Sequence, residues 1–398
     1  MKYTKSLSIV LLVLLINACA SVQQVACPDG TLDLPDCPPA EAVDDENLNE
    51  IYQIRTWLPP SKLTIDPIAL SKEAQIPINS SRAKIIGPSH AEAMDSLAAK
   101  IWLIENAQHT VDVAYYIFKP DLVGYSILGA LCNAVKRGVD VRIMVDSIGS
   151  IDPSHTGLMA LETCADEAGH MRTMDGQLTD NKARVQTVIF NALSRPSSWK
   201  NRRSHDKLLV IDGAFPSKAM VITGGRNISL AYYGIKADGS EDPTAYRDLE
   251  ILLKSRETDT FSNITVGDVS TIYYTLLFLH RENKRLYPIY FDDSESLYED
   301  PDPFAGDRLR AQESLAFVKQ LPAIAEMLAQ MTEYMRTGFH DTDVLLAHEL
   351  ANLTNRNVVT NTIENLKGNP NSIMYVLSEY GDELDENGVL RIVSPYMF

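Results

Sequence analysis

Periodic apolar positions begin near residue 89 and predict alternating helices and strands. Residues spaced for one face of a helix alternate with short, largely apolar runs that are typical of buried strands. Ser89 stands where it can cap the first helix, and Gly138 stands where it can end the second. The predicted order is a helix over 91–106, a strand over 111–118, a helix over 121–136 and a strand over 139–145. Such a unit predicts a parallel or mixed sheet covered by helices.

Further elements are predicted downstream of this unit. Leu208–Ile211 is apolar at every position, which is expected of a central strand buried on both faces. Pro322 is expected to kink a helical segment or to mark its true start, and the acidic stretch 292–307 is expected to be a boundary. The other predicted elements are a helix near 157–167, strands over 185–190, 220–223 and 249–253, a helix over 271–285, a helical segment over 315–335 and a strand over 389–398.

The first residues carry the signals of export. A short basic start precedes an apolar run over 7–16, which is too short for a transmembrane helix. The Ala18-Cys19 pair that follows resembles the lipobox of bacterial lipoproteins, which implies a signal peptide over 1–18 and a lipid on Cys19. Ala20, where an inner-membrane retention signal would have Asp, implies the outer membrane, facing the periplasm. Ordinary secretion and an uncleaved anchor are the alternatives.

The cysteines fit an exported protein. Cys27 and Cys37 flank a loop rich in Pro and Asp and are candidates for a disulfide in an oxidising compartment. Cys132 lies in an apolar helical pattern, which predicts a small buried hydrophobe rather than a cysteine with a chemical role. No Cys or His spacing suits a zinc ion, so the sequence predicts no metal site.

The net charge and the composition of the chain limit the functions that it is expected to have. The chain has 36 basic and 53 acidic residues and a formal charge of −17, with 45% hydrophobic residues, as in ordinary globular proteins. This composition excludes collagen, coiled coils and polytopic membrane proteins, and the charge argues against generic nucleic-acid binding. The stretch 195–207 has five basic residues and one acidic residue. It is expected to hold an anionic substrate, and a solvated basic loop is the alternative.

The candidate catalytic residues lie at the start of the predicted central strand. His205 and Lys207 are two residues apart on an extended chain, so they share one face at a spacing of roughly 6–7 Å. A nucleophile beside a fixed cation suits attack on an anionic phosphodiester. The next strand ends in Gly224-Gly225-Arg226-Asn227. The paired glycines would let backbone N–H groups approach a phosphate, and Asn227 adds a neutral donor.

These residues carry a resemblance to a known family. His205-x-Lys207-x4-Asp212 followed by Gly224-Gly225-x-Asn227 resembles the HKD motif of the phospholipase D superfamily, and residues 85–290 carry further similar segments. The resemblance implies an α/β fold with a mixed sheet flanked by helices on both faces and an incomplete second repeat. The implied division is a signal peptide over 1–18, an extension over 19–85, a catalytic half over 86–295, and a helical connection with the start of a truncated second half over 296–398.

The resemblance also implies a mechanism without metal or cofactor. One histidine attacks phosphorus to form a phosphohistidine, and a partner histidine protonates the leaving alcohol. His205 and Lys207 take catalytic roles, and Asp212 belongs to the same motif, although its position on the opposite strand face favours a structural hydrogen-bonding role. Lys207 and Asn227 would stabilise charge on the phosphoryl oxygens. Asp248 would orient a catalytic imidazole.

The sequence departs from the family in one respect. A second HxKx4D motif is absent, because His280, His340 and His348 lack Lys and Asp at the required offsets, while 390–398 resembles the first strand of a second half. A homodimer or a separately encoded half would then supply the second histidine.

The expected function is a cardiolipin synthase-like phosphodiesterase or phosphatidyltransferase that acts on phospholipids, held at the membrane by the lipidated Cys19. One alternative is a catalytically inactive envelope lipoprotein that binds anionic lipid or a partner. The other is a periplasmic nuclease that acts as a dimer.

Overall fold

A nine-stranded mixed sheet with helices on both faces forms the body of the protein. The computed structural model describes residues 75–150, 155–173, 175–194, 203–260, 264–278, 280, 283–288, 302–347 and 381. The predicted α/β class with helices on both faces is confirmed. The predictions for the signal peptide, for Cys19, Cys27 and Cys37, and for the strand over 389–398 lie outside the described residues.

The described residues contain eleven strands. They are β1 (Gln75–Ile86), β2 (Thr110–Tyr115), β3 (Asp140–Asp146), β4 (His170–Arg172), β5 (Leu178–Lys182), β6 (Val185–Phe190), β7 (Lys207–Ile211), β8 (Met220–Gly224), β9 (Glu250–Lys254), β10 (Lys284–Arg285) and β11 (His340–Ala347). The order in the large sheet is β10-β6-β3-β2-β7-β8-β9-β1-β11, and β4 and β5 form a separate ribbon. β2, β3 and β6 run parallel, and the other neighbours are antiparallel.

Two hydrophobic cores lie on the two faces of this sheet. The helices are α1 (His90–Asn106), α2 (Leu122–Lys136), α3 (Thr156–Thr163), α4 (Val266–Phe278), α5 (Ala305–Gln320) and α6 (Pro322–Tyr334). α1 and α2 bury one face, α4 buries the other, and α5 and α6 pack outside α2 and α1. No helix in the described part of the chain is long and apolar enough to cross a membrane.

The predicted helix ends rest on local signals that the structure confirms. Ser89 accepts the N–H of Glu92, and the Glu92 carboxylate accepts the N–H of Ser89, so the two residues form a capping box. Asp121 caps α2 by accepting two backbone N–H groups. Gly138 follows α2 with φ of 97°, where a Cβ would lie 2.0 Å from the carbonyl oxygen of His170.

Two predicted helices end elsewhere, for identifiable reasons. The helix predicted over 271–285 is α4, which ends at Phe278 because the Asn283 side chain donates to the carbonyls of Leu277 and Phe278. Residues 284–285 belong to β10 instead. The segment predicted over 315–335 is two helices, and Pro322 marks the start of the second.

The strands near the motif keep close to their predicted bounds. β6 matches its prediction, and β7 is buried at all five positions in the middle of the sheet, as predicted for a central strand. β2 ends at Tyr115 rather than at 118, because the chain turns there and Phe118 pairs with Ile228 in an isolated bridge. Among the described elements beyond residue 296, β11 joins the same unit, since it pairs with β1 in the large sheet.

A disulfide between Cys132 and Cys164 corrects the prediction for Cys132. The residue is buried, as predicted, but it is bonded to Cys164 with the two Cα atoms 5.5 Å apart. The bond ties α2 to the short 3-10 helix Cys164–Glu167 that follows α3. Sequence spacing gave no sign of this pairing, because the contact between α2 and α3 is tertiary.

Reduction of this disulfide is expected to destabilise the fold. The bridge spans 32 residues, for which the loss of loop entropy in the unfolded chain predicts about 3–4 kcal/mol of stabilisation. Urea unfolding with and without dithiothreitol measures the difference. The double variant Cys132→Ala, Cys164→Ala is the control, since reductant should not move its midpoint by this route. An unchanged midpoint for the wild-type chain in reductant would contradict the expectation.

Candidate active site

The sheet places the motif where its parallel strands end. His205 lies two residues before the first residue of β7, which is Lys207. Lys207 lies opposite Tyr115, the last residue of β2, and β7 sits in the centre of the sheet. In open α/β sheets, ligands bind in the crevice outside the carboxyl ends of the parallel strands. The fold therefore brings the predicted residues to a position typical of an active site.

His205 and Lys207 meet at their polar ends, as the two-residue spacing predicts. The Nζ atom of Lys207 lies 3.1 Å from Nδ1 of His205 and donates to the His205 carbonyl oxygen at 2.7 Å. The imidazole reaches the surface, whereas Lys207 is only 5% exposed. Tyr116 lies beside both, with its ring centroid 4.7 Å from that of His205. An accessible imidazole thus stands against a buried cation.

The surroundings favour a neutral imidazole beside a charged lysine at neutral pH. Partial burial lowers the pKa of His205, the charge of Lys207 lowers it further, and Asp206 opposes both. Burial lowers the pKa of Lys207 to about 8, against the opposing charges of Asp206 and Asp248. A neutral imidazole has the free electron pair that a nucleophile needs.

Asp206, between the two motif residues, holds the start of β7 in place. Its carboxylate accepts hydrogen bonds from the hydroxyl of Ser204 and from the hydroxyl of Tyr273 in α4, the latter at 3.0 Å. Its backbone carbonyl accepts the N–H of Tyr116 at 2.9 Å. Sequence reasoning missed Tyr273, because 67 residues separate it from Asp206 and no local pattern joins them.

Arg203 anchors the segment that leads into the motif. Its guanidinium donates to the hydroxyl of Ser147 at 2.6 Å and to the carbonyl of Asn191 at 3.0 Å, and it pairs with Asp146 at 3.4 Å. Within the stretch 195–207, Arg203 is therefore engaged with the protein rather than presented to an anion. Residues 195–202 lie outside the described residues, so the predicted anion-binding role of the rest stays a prediction.

Asn227 lies buried where the loop after β8 meets the end of β2. Its Oδ1 atom accepts the N–H of Ile117 at 2.9 Å, which fixes the side-chain amide. The NH₂ group of that amide is the donor that the sequence assigns to phosphate, and this role stays a prediction. Of the two tyrosines near the motif, Tyr115 lies in the core and Tyr116 lies at the site.

The paired glycines lie where two chain segments approach closely, and the predicted phosphate contact is excluded for the N–H of Gly225 and stays a prediction for Gly224. Gly225 donates its N–H to the carbonyl of Leu249 at 2.8 Å, so this group is not presented to a phosphate. Gly224 has φ of 152°, and a Cβ there would lie 2.3 Å from the same carbonyl oxygen. At Gly225 a Cβ would lie 2.2 Å from Oδ1 of Asp248. The two glycines therefore allow the chain before β9 to approach β8 closely.

Asp248 lies against Gly225, close enough to act electrostatically on the motif. Partial burial raises the pKa of Asp248, while the charges of Arg226 and Lys207 lower it. In the described part of the chain no hydrogen bond joins Asp248 to His205, so the predicted role in orienting an imidazole stays a prediction. Its carboxylate contributes to the charge balance around Lys207.

Asp212 lies at the far end of β7 and does not reach the site. Its carboxylate accepts three backbone N–H groups, those of Gln108, His109 and Thr110, at 2.7–3.0 Å. The residue is buried and has φ of 48°. The structure thus separates Asp212 from the catalytic pair by the length of the strand. It supports the structural role rather than the catalytic one, because Asp212 fixes the start of β2 to the end of β7.

A buried ionic network close to the site was not predicted from the sequence. Glu250 pairs with Lys100 at 2.5 Å and with Arg226 at 3.2 Å, and all three side chains are at most 1% exposed. Ser96 donates to Glu250 and accepts from Lys100, and Arg226 also donates to the carbonyl of Gly87. The network joins α1 to Arg226, which directly follows Gly225, and to Glu250, which lies two residues after Asp248.

No cluster of three or more His, Cys, Asp or Glu that could hold a metal ion occurs within the described residues. The cations at the site are side chains, with Lys207 nearest to the imidazole. The arrangement can hold an anionic group against an imidazole nucleophile.

Parts of this chain are similar to known proteins. Residues 101–236 match the family described as "Cardiolipin synthase, PLD-like domain". Cardiolipin synthase C of Escherichia coli (strain K12) is 32% identical over 171 residues, which are 40% of this chain and 30% of that protein. A cardiolipin synthase of Geobacillus sp. (strain WCH70) is 31% identical over 133 residues, 33% of this chain and 22% of that protein. The matches thus span less than a third of the length of either relative.

A solved structure is also similar to this chain. Nuc from Salmonella typhimurium, a phospholipase D family member, is 14% identical with a TM-score of 0.33, over 52% of this chain and 99% of that one.

Proposed function

We propose that this chain, a member of the phospholipase D superfamily through its domain over 101–236, is a phosphodiesterase or phosphatidyltransferase that acts on phospholipids. The observation that supports this proposal best is the contact of an accessible His205 imidazole with the buried Lys207 ammonium at 3.1 Å. The names of the two cardiolipin synthase relatives support a lipid substrate.

The proposed reaction has two displacements at phosphorus. A nitrogen of the His205 imidazole donates its electron pair to phosphorus, and the bond from phosphorus to the leaving alcohol oxygen breaks. That oxygen takes a proton from a general acid. Water or a second alcohol then attacks the phosphohistidine, loses its proton and breaks the nitrogen–phosphorus bond. Lys207 stabilises the charge that develops on the phosphoryl oxygens.

A second imidazole is the proposed general acid. His205 of a second copy, or a histidine of a separately encoded half, is proposed to face the first His205 across a shared site. Mass in solution, measured on the same fractions as activity, tests this part. Turnover by a proven monomer would overturn it.

The decisive assay offers vesicles of phosphatidylglycerol and phosphatidylethanolamine to the purified chain and identifies the lipid products. Phosphatidate with released head group indicates hydrolysis, and cardiolipin indicates transfer. Absence of both products with retained vesicle binding would favour an inactive lipid-binding protein. Nicking of plasmid DNA without lipid turnover would favour a nuclease, which the charge of −17 argues against.

The proposed location is the bacterial cell envelope, with the chain anchored by a lipid on Cys19. The Cys132–Cys164 disulfide supports this location, because disulfides persist in oxidising compartments such as the periplasm. Metabolic labelling with a fatty acid, compared between the wild-type chain and Cys19→Ala, tests the anchor. Loss of label in the variant is expected.

The pH dependence of kcat/KM is expected to be bell-shaped. The imidazole must be neutral to attack, so the rate rises as the pH passes upward through the pKa of His205, which lies below 6.5. The ammonium must be charged to bind phosphate, so the rate falls as the pH passes through about 8. Lys207→Arg should remove the part of the alkaline limb that titrates near pH 8, because a guanidinium stays charged up to about pH 12, and should leave the fall caused by deprotonation of the general acid. An alkaline limb that persists unchanged in this variant would contradict the assignment.

A further inference from the structure

We infer that Tyr116 is a positioning residue, whose ring holds the His205 imidazole and the Lys207 ammonium in the geometry needed for attack. The inference rests on the proposed function of the same site. The Tyr116 and His205 ring centroids are 4.7 Å apart at an interplanar angle of 53°. The Nζ atom of Lys207 lies over the Tyr116 ring, 5.4 Å from its centroid. One ring thus touches both members of the pair.

The backbone of Tyr116 is held on both sides. Its N–H donates to the carbonyl of Asp206, the residue between His205 and Lys207, at 2.9 Å. Its carbonyl oxygen accepts the hydroxyl of Ser150 at 2.8 Å, and that hydroxyl also accepts the N–H of Phe118 at 2.8 Å. Any displacement of the Tyr116 backbone would therefore be transmitted directly to the motif.

A glycine packed against Tyr116 limits the position of its ring. A Cβ on Gly149 would lie 2.1 Å from the carbonyl oxygen of Tyr116 and 2.9 Å from its Cδ2 atom. Only glycine allows so close an approach of the loop after β3. The ring is therefore confined between this loop on one side and the catalytic pair on the other.

The ring would act on the pair in two ways. Contact with the imidazole restricts the rotamers of an otherwise exposed side chain, which lowers the entropy lost on reaching the attacking geometry. The negative face of the ring attracts the ammonium and so favours the charged form of Lys207, against the burial that disfavours it. Neither effect requires Tyr116 to touch the substrate.

Three variants distinguish the contribution of the Tyr116 ring from that of its hydroxyl and from nonspecific effects of substitution. Tyr116→Phe keeps the ring and removes the hydroxyl, and Tyr116→Leu removes the ring. Tyr287→Leu is the matched control, because Tyr287 also lies beside a cation, Arg285 at 5.0 Å, but is 65% exposed and follows the edge strand β10. Thermal unfolding of each variant establishes that it is folded.

The expected kinetic result is a change in kcat rather than in KM. Tyr116→Leu should lower kcat by about 10–100-fold, because misplacement of a reacting group has effects of this size. Its KM should stay within about threefold, because the ring acts on the reacting groups and does not bind the substrate. Tyr116→Phe keeps the ring and should retain kcat within about twofold of the wild-type chain, and Tyr287→Leu should do the same because it is a surface substitution away from the site.

NMR titration of His205 tests the inference without turnover. In Tyr116→Leu the pKa of His205 should rise towards its ordinary value, because water replaces the ring and relieves the partial burial that lowers it. If the wild-type chain has no activity and this shift occurs, the positioning role stands and the proposed function fails. If the titration and kcat of Tyr116→Leu match those of the wild-type chain, or if Tyr116→Phe loses as much activity as Tyr116→Leu, the inference is overturned.

Discussion

His205→Ala is expected to abolish phosphodiester turnover, with a loss of at least about 10³-fold in kcat, as for other enzymes that lose their nucleophile. The imidazole is the group in contact with Lys207 that carries a free electron pair at neutral pH. Alanine leaves the ammonium in place but removes the atom that would bond to phosphorus. Initial rates on phosphatidylglycerol vesicles measure the effect.

The matched control for this experiment is His170→Ala. His170 is exposed in the ribbon of β4 and β5, outside the large sheet, where its Nδ1 atom contacts the carbonyl of Thr179. Its loss should change the rate by less than about twofold. Trapping of ³²P-labelled protein from a labelled substrate, present in the wild-type chain and absent in His205→Ala, would identify the covalent step. Activity that survives His205→Ala in a homogeneous preparation would contradict the phosphohistidine mechanism.

The motif and its strand were predictable because their signals are local. An unbroken apolar run marks β7 as central, and a spacing of two residues puts His205 and Lys207 on one side of an extended chain. The caps of α1 and α2 are likewise encoded within four residues of Ser89 and Asp121. In each case the partners that decide the structure are near neighbours in sequence.

The features that the sequence did not predict depend on contacts between distant segments. Cys132 meets Cys164 only because α2 packs beside α3, and Asp206 meets Tyr273 only because α4 covers that face of the sheet. Gly225 was expected to face a phosphate, yet the carbonyl of Leu249, directly before β9, accepts its N–H. A glycine pattern indicates a close approach, and the sheet order decides which segment approaches.

The motif residues at the two ends of β7 have different roles, and Asp212 has a structural one. His205 and Lys207 stand at the end of β7 where the parallel strands finish, and Asp212 stands at the other end with its carboxylate on three N–H groups. Those N–H groups lie at the start of β2, and Tyr116 directly follows the end of the same strand. Because β2 and β7 are fixed to each other at one end, the positions of Tyr116 and His205 along these strands are fixed relative to each other at the other end.

Glu250→Gln is expected to cause a large loss of stability, about 3–5 kcal/mol in the free energy of unfolding. The Glu250 carboxylate lies between Lys100 and Arg226, and the three side chains are buried. A neutral amide leaves two buried cations without an anion between them. The loss is the uncompensated desolvation of these cations, since Ser96 and the carbonyl of Gly87 offer only neutral acceptors.

The midpoint of urea unfolding measures this effect, and Glu313→Gln on the exposed face of α5 is its matched control, with an expected change below about 0.5 kcal/mol. The pH dependence provides an independent check. Burial lowers the pKa of Lys100 and Glu250 opposes it, so the variant should have a still lower pKa in the folded state. Because the unfolded chain then binds more protons than the folded one, the stability of Glu250→Gln should rise as the pH increases from 7 towards the ordinary lysine pKa of 10.5. Equal midpoints for the two variants, or a deficit that does not shrink with rising pH, would show that the buried cations do not depend on Glu250.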